Sequence, residues 1–205
     1  MKYLLGIDEV GRGPLAGPVM VGVVLVPTDF SWQRLPRVAD SKSVSAKVRF
    51  SLYEEVLALQ RDGVLDFAVG AVSAPDIDKR GIVPAITEAL ARALTAIEER
   101  FSGDLPAVSA VRLDGGLRAP ARYQDQSTII KGDVTEPVIG LASIVAKVTR
   151  DAYMVQCAEQ AVYAPYDFAT HKGYGTKKHR AAIVEYGISP EHRVSFCRNC
   201  QTVQN

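Results

Sequence analysis

The chain predicts an α/β fold: one mixed five-stranded sheet flanked by helices on both faces, followed by a short helical C-terminal segment. Short apolar runs bounded by Gly and Pro alternate with longer stretches whose apolar residues recur every three to four positions. Only a Gly/Pro-rich turn separates the first two runs, which suits antiparallel neighbours, whereas helices separate the later ones. A length of 205 residues, 47% of them hydrophobic and 23% charged, is enough to bury one core. One domain over residues 1–205 is therefore expected.

Residues 3–7 and 19–26, the second dense in valine, suit buried strands. Residues 47–60 place Phe50, Tyr53, Val56, Leu57 and Gln60 at helical spacing. Residues 65–72 alternate, with Leu65, Phe67, Val69 and Ala71 on one side, and form a third strand. Ser73-Ala74-Pro75-Asp76 resembles a capping box opening a short helical turn that Gly81 ends. Residues 82–100 follow as a helix with Ile86, Leu90, Leu94 and Ile97 along its stripe. Residues 107–113 and 127–131 are the fourth and fifth strands. Residues 137–158 form the strongest helix, with a stripe of Val138, Leu141, Val145, Val148, Ala152 and Val155, and with Ser143, Lys147 and Arg150 on another face. A last helix over 177–186 stops at Gly187, and the end of the chain is irregular.

The net charge of +1 gives no global case for a nucleic-acid partner, so any basic surface is local. Residues 170–205 offer one, with six Lys or Arg against two Glu and all three histidines; a solvated tail has the same composition. Three cysteines, an odd number, and the lack of a secretory signal point to a reducing, cytoplasmic setting. The apolar stretch 15–26 is too short to span a membrane.

Chemistry concentrates where apolar runs meet glycine. Asp8 and Glu9 close the first run, Asp114 precedes Gly115-Gly116, and Asp133 follows Gly132. Adjacent carboxylates repel and are costly to desolvate, so Asp8 and Glu9 call for a cation or a wet surface. Taken singly, Asp114 and Asp133 also suit acids that merely solvate turns. In a mixed sheet, the ends of strands one, four and five can lie together and gather all four acids in one cleft. Oxygen donors without His or Cys suit Mg²⁺ or Mn²⁺, and two such ions roughly 4 Å apart would serve phosphodiester hydrolysis. Gly11 and Gly13 flank Arg12 and let backbone approach a phosphate or sugar.

Six blocks, in register from about Tyr3 to Phe196, resemble ribonuclease HII of the bacterial type. They are Gly-Ile-Asp-Glu-Val-Gly-Arg-Gly-Pro-Leu-Ala-Gly-Pro at 6–18, Asp40-Ser41-Lys42, Leu113-Asp114-Gly115, Ile130-Lys131-Gly132-Asp133, Ala-Ser-Ile-Val-Ala-Lys-Val-Thr-Arg-Asp at 142–151, and His171-Lys172-Gly173-Tyr174-Gly175-Thr176. The resemblance implies an RNase H-like fold and a metal-dependent endoribonuclease. It would cut the RNA strand of RNA/DNA hybrids, and cut 5′ of single ribonucleotides embedded in duplex DNA, leaving a 3′-hydroxyl and a 5′-phosphate.

On the matching motifs, Asp8, Glu9, Asp114 and Asp133 are the catalytic metal ligands. Asp8 would bridge the two ions, with Glu9 and Asp114 toward one and Asp133 toward the other. Gly11, Arg12 and Gly13 match the loop that contacts the ribonucleotide's 2′-hydroxyl, and Tyr174 matches the tyrosine that packs on the following deoxyribose. Lys42, Ser143, Lys147, Lys172 and Arg150 are phosphate-contact candidates, although Lys147 and Arg150 could equally pair with Asp151 or lie in solvent. His171 reads as a hydrogen-bonded residue inside the fold. The segment from about 160 to 205 is expected to bind substrate, and the enzyme to act as a monomer.

Ser43-Val44 stands where the family usually has Lys-Leu, and Lys79-Arg80-Gly81-Ile82 where an Asn-Ile pair is common. Cys197-Arg198-Asn199-Cys200 has no second CxxC, so it reads as two thiols more readily than as half a zinc site with His192. With seven residues before Asp8, the added N-terminal domain of the related HIII enzymes is not expected. Two rivals are a catalytically silent duplex-binding protein on the same fold, against which the four acids speak, and a phosphotransferase or ATPase. The latter lacks its loop, because Gly11-x-Gly13-x-x-x-Gly17 fits neither a Walker nor a GxGxxG pattern.

Overall fold

The computed structural model describes residues 2–36, 38 and 45–200. Its sheet has five strands, β1 (Tyr3–Val10), β2 (Val19–Pro27), β3 (Asp66–Val72), β4 (Ser109–Asp114) and β5 (Gln126–Ile129), in the order β3-β2-β1-β4-β5. β1 pairs antiparallel with β2, and β2 with β3, whereas β1–β4 and β4–β5 are parallel. The expected mixed sheet is thus present, with its tight antiparallel half first in the chain.

Helix α1 spans Ala46–Arg61, α2 Ala74–Arg80, α3 Ile82–Glu98, α4 Leu105–Val108, α5 Gly132–Thr135 and α6 Pro137–Ala158. The C-terminal part carries α7 (Phe168–His171), α8 (Lys177–Tyr186) and α9 (Val194–Cys197). Ser73 caps α2, its hydroxyl accepting from the Asp76 N–H, as the capping-box reading requires. α3 buries Ile86, Leu90, Leu94 and Ile97 against one face of the sheet, together with Leu5, Ile7 and Val111. α6 and α1 cover the other face through Val138, Leu141, Val145, Leu52 and Val56.

Glycines set how closely the two layers approach. A Cβ at Gly6 would lie 2.1 Å from the Val138 carbonyl, and one at Gly22 2.4 Å from the Ala142 carbonyl. Both belong to the α6 face, whereas Gly70 leaves the same room for Ala89 of α3 on the opposite face. Bare strand positions let α6 lie directly on β1 and β2.

Four expectations are corrected. The predicted α6 stripe fails in its second half: Ala152 and Val155 are exposed, and Arg150, Met154 and Cys157 are buried instead. There the helix has outrun the sheet and packs on Ala16, Tyr163, Tyr166 and Phe168. In α1, Phe50 stays exposed, while Leu52 and Val56 form the buried face. Ala107 and Val108, expected to start β4, close the short helix α4 instead. β5 ends at Ile129, because Lys131 adopts a left-handed backbone (φ 56°) that turns the chain into α5. Among the described residues, no helix is long and apolar enough to cross a membrane.

Candidate active site

The parallel β1–β4 pair sets Ile7 opposite Leu113, so the next residues, Asp8 and Asp114, arrive at the same end of the sheet. β1 runs on to Val10 against β2, which places Asp8 and Glu9 inside the strand rather than beyond it. Strand alternation gives Asp8 the face of Gly6, toward α6. Gly22 is its partner across the ladder, and the close approach of α6 at Gly22 brings the Ser143 hydroxyl up to the Asp8 carboxylate. The N–H of Glu9 donates to the same carboxylate at 2.8 Å.

Burial pushes the Asp8 carboxyl up to about 7, opposed by the Ser143 hydrogen bond and reinforced by Asp114 and Glu9. Glu9 is raised too, first by burial, while Arg12 opposes the shift and Asp114 adds to it. Arg12 reaches back to Glu9 at 2.9 Å. Three carboxylates therefore repel across a partly desolvated strand end. Asp133 is buried in α5, a helix that packs on α6 and β4, and the preceding Gly132 N–H donates to Asp114 Oδ1 at 2.7 Å. Among the described residues, no three His, Cys, Asp or Glu groups already close around a common point. Asp8, Glu9 and Asp114 are neighbours whose hard oxygen donors and mutual repulsion fit divalent cations of the magnesium type, and Asp133 follows the Gly132 that bonds Asp114.

The loop between β1 and β2 is held from behind by two fully buried arginines. Arg150 donates to the carbonyls of Pro18, Ala16 and Lys172, each at 3.0 Å. Arg193 donates to those of Gly17 at 3.0 Å, Arg12 at 3.1 Å and Gly11 at 2.6 Å. Arg150 is therefore not a phosphate contact: it is 0% exposed and spends its donors on backbone. Arg193, 0% exposed as well, leaves the basic surface read into the C-terminal segment. Burial and the neighbouring Arg150 push the Arg193 guanidinium down to about 9, still charged at neutral pH. Gly11 needs its glycine twice over, for a φ of 87° and for the Arg150 Nε that a Cβ would meet at 2.4 Å; Gly13 faces open space.

Tyr174 is 42% exposed, with Lys147 Nζ 5.7 Å and Arg150 Cζ 5.8 Å from its ring centre. Lys147 pairs with Asp151 at 2.6 Å, and Lys172 Nζ donates to the Ala169 carbonyl. Lys42 and its Asp40-Ser41-Lys42 block lie outside the described residues. The three histidines lie behind Tyr174. His179 Nδ1 meets the Tyr174 carbonyl at 2.9 Å and must donate there, so its Nε2 accepts from His192 Nε2–H, also at 2.9 Å. His192 Nδ1 then accepts from Ser189. His171 donates from Nε2 to the Tyr166 carbonyl and accepts from the Gly173 N–H. With both His192 nitrogens engaged, that ring is not a third ligand for the buried thiols Cys197 and Cys200. His171 is hydrogen-bonded inside the fold as expected, whereas the clamp by Arg193 and the His179–His192 link join residues through backbone carbonyls and ring nitrogens that no residue pattern reports.

A family model described as Ribonuclease HII matches residues 5–199. Ribonuclease HII of Endomicrobium trichonymphae is 41% identical over 191 residues, covering 93% of this chain and 83% of that protein. The ribonuclease H2 crystal structure from Pyrococcus horikoshii OT3 superposes with a TM-score of 0.70 at 23% identity, covering 97% of each chain. Bst-RNase HIII in complex with Mn²⁺ gives 0.67 at 15% identity, over 94% of this chain and 66% of that one.

Proposed function

Because the chain belongs to the ribonuclease HII family, and so is an endonuclease acting on RNA/DNA hybrids, we propose that it also cuts 5′ of single ribonucleotides embedded in duplex DNA, leaving a 3′-hydroxyl and a 5′-phosphate. The observation that carries this reading is the junction at the end of β1, where clustered acids lead within two residues into a clamped Gly11-Arg12-Gly13 turn. Cutting groups and a sugar-sensing turn then lie side by side.

Asp8, Glu9, Asp114 and Asp133 would hold Mg²⁺ or Mn²⁺, two ions in the presence of substrate. The donor set favours this, and Bst-RNase HIII, of the same fold, binds Mn²⁺. When bound, these ions supply the charge that makes water nucleophilic and steadies the leaving oxygen. Ser143 and the Glu9 N–H keep the Asp8 carboxylate aimed. Gly11, Arg12 and Gly13 meet the 2′-hydroxyl, the one handle that separates a ribonucleotide from its neighbours. Groups left unpaired by a deoxynucleotide discriminate by about 10⁴. Tyr174 packs on the following deoxyribose, while Lys42, Lys147 and Lys172 meet phosphates without reading sequence. The protein works in the cytoplasm as a monomer, one catalytic domain over 1–205 whose segment from about 160 grips the duplex.

The test is incubation with a duplex carrying one ribonucleotide, with Mg²⁺ or Mn²⁺, beside Asp8→Asn. Wild type should cut once, 5′ of the ribonucleotide, and the variant should lose about 10³-fold or more. Cutting of hybrids alone would overturn the single-ribonucleotide reading, and undiminished cutting by Asp8→Asn would overturn the acid assignment.

A further inference from the structure

The six guanidinium hydrogen bonds of Arg150 and Arg193 all end on backbone carbonyls. Five of those carbonyls (Gly11, Arg12, Ala16, Gly17 and Pro18) belong to the turn after β1, and the sixth is Lys172, two residues before Tyr174. Burying a guanidinium without a carboxylate hydrogen-bonded to it is an expensive way to stabilise a fold. What the expense fixes is the position of one turn against another.

Backbone bonds join the same two segments. Leu15 N–H and Ala16 N–H both donate to the Gly173 carbonyl, at 2.9 and 3.3 Å, and Arg193 N–H donates to the Leu15 carbonyl at 2.8 Å. Gly173, at φ 83°, lies so close that a Cβ would stand 2.3 Å from the Ala16 carbonyl oxygen. Arg150 also sits over the Tyr174 ring. The six guanidinium bonds do not reach the acids; the turn meets them through the Arg12 side chain, which pairs with Glu9 at 2.9 Å.

We propose that Arg150 and Arg193 are positioning residues that lock the Gly11-Arg12-Gly13 turn and the Tyr174 loop into one unit, so that the 2′-hydroxyl and the next sugar are read at a fixed separation. Recognition of an RNA–DNA junction then depends on both turns moving together, and a loosened clamp degrades that recognition before it degrades cutting itself. The inference rests on the roles given above to the turn and to Tyr174. A lysine at 150 keeps the charge but concentrates its donors on one nitrogen, which cannot span the Ala16, Pro18 and Lys172 carbonyls.

The experiment measures kcat and KM with Mn²⁺ on a duplex carrying one ribonucleotide and on a continuous RNA/DNA hybrid. It compares wild type, Arg150→Lys, Arg193→Lys, Gly173→Ala and Tyr174→Ala, with thermal melting and Mn²⁺ titration of each free protein. Arg150→Lys and Arg193→Lys should lose about 10²-fold in kcat on the single-ribonucleotide duplex, as a misplaced contact does. Their KM should stay within about threefold and their hybrid cutting within about tenfold of wild type, with unchanged Mn²⁺ affinity. Equal losses on both substrates, or a parallel loss of Mn²⁺ affinity, would mean a general structural role and overturn the proposal. Should an arginine variant not fold, Gly173→Ala decides on the same ratio, since its methyl wedges the turns apart without altering either arginine. An unchanged ratio in Tyr174→Ala sinks the underlying reading; a shifted one there, beside wild-type ratios in the arginine and glycine variants, sinks only the clamp.

Discussion

Asp8 is the residue at which sheet geometry and electrostatics conflict most. On β1 it follows bare Gly6 and buried Ile7, yet it carries a carboxyl that burial drives up to about 7. Ser143 and the Glu9 N–H are what the protein itself offers against that shift. Removing the hydroxyl in Ser143→Ala should therefore cost about 1 kcal/mol of stability or less. It should also slow hybrid cutting about tenfold, because the carboxylate loses its aim. Denaturant unfolding and steady-state rates check the two halves separately. A fully active variant would show that the Asp8 carboxylate does not depend on Ser143 for its aim. Tyr174→Ala should lose junction cutting at unchanged Mn²⁺ affinity, since its ring touches Lys147 and Arg150 rather than the acids. Asp8 and Glu9 were legible in the sequence because two carboxylates ending an apolar run are anomalous. Arg150 was misread because an arginine on an amphipathic helix looks solvated until its carbonyl partners are in place.

At the scale of elements, the site depends on how close α6 lies to the sheet. Gly22 stands opposite Asp8 and beneath the Ala142 carbonyl, one residue before Ser143. Gly22→Ala must push α6 outward, at a cost of about 1–3 kcal/mol, and should reduce cutting by lifting Ser143 from Asp8. Gly63→Ala is the control. Its φ of 68° makes the change costly by about 1 kcal/mol, but nothing lies within 4 Å of the added methyl, so activity should hold. Equal activity in both variants would detach the helix approach from the chemistry. The bounds of α6 were readable from its start at Pro137 and its unbroken apolar period, yet its buried face was readable only over the half that rests on the sheet. Beyond that point the partner is a C-terminal segment folded back from residues 161–183, and periodicity carries no information about which face such a segment will choose.

Across the whole molecule, that segment closes against the β1–β2 turn through contacts far apart in sequence, such as the bridge between Ala16 and His192. Its interior holds three neutral imidazoles with fixed donors and acceptors. Burial lowers His179 and His192 to about 4 from an ordinary 6.5 and lowers His171 as well. At His179 and His192 the unfolded chain takes up protons below pH 6.5 that the folded chain refuses until about pH 4, so both rings contribute stability that is fully present above 6.5 and lost as the pH falls through that window, and His171 acts in the same direction. Each unit of separation is worth about 1.4 kcal/mol. Asp8 acts in the opposite direction, because its raised carboxyl relieves the folded state as pH falls. The wild-type profile is therefore a sum, and a difference isolates the histidines. His192→Gln should cost about 1–3 kcal/mol at pH 7.5 through the lost bonds to His179 and Ser189. Its deficit relative to wild type should shrink steadily between pH 6.5 and 4, since the variant has one fewer ring to protonate. Urea unfolding of both proteins across that range measures it directly. A deficit that stays constant with pH would show that the chain accepts protons without opening, and that the Tyr174 loop is held by something other than neutral imidazoles.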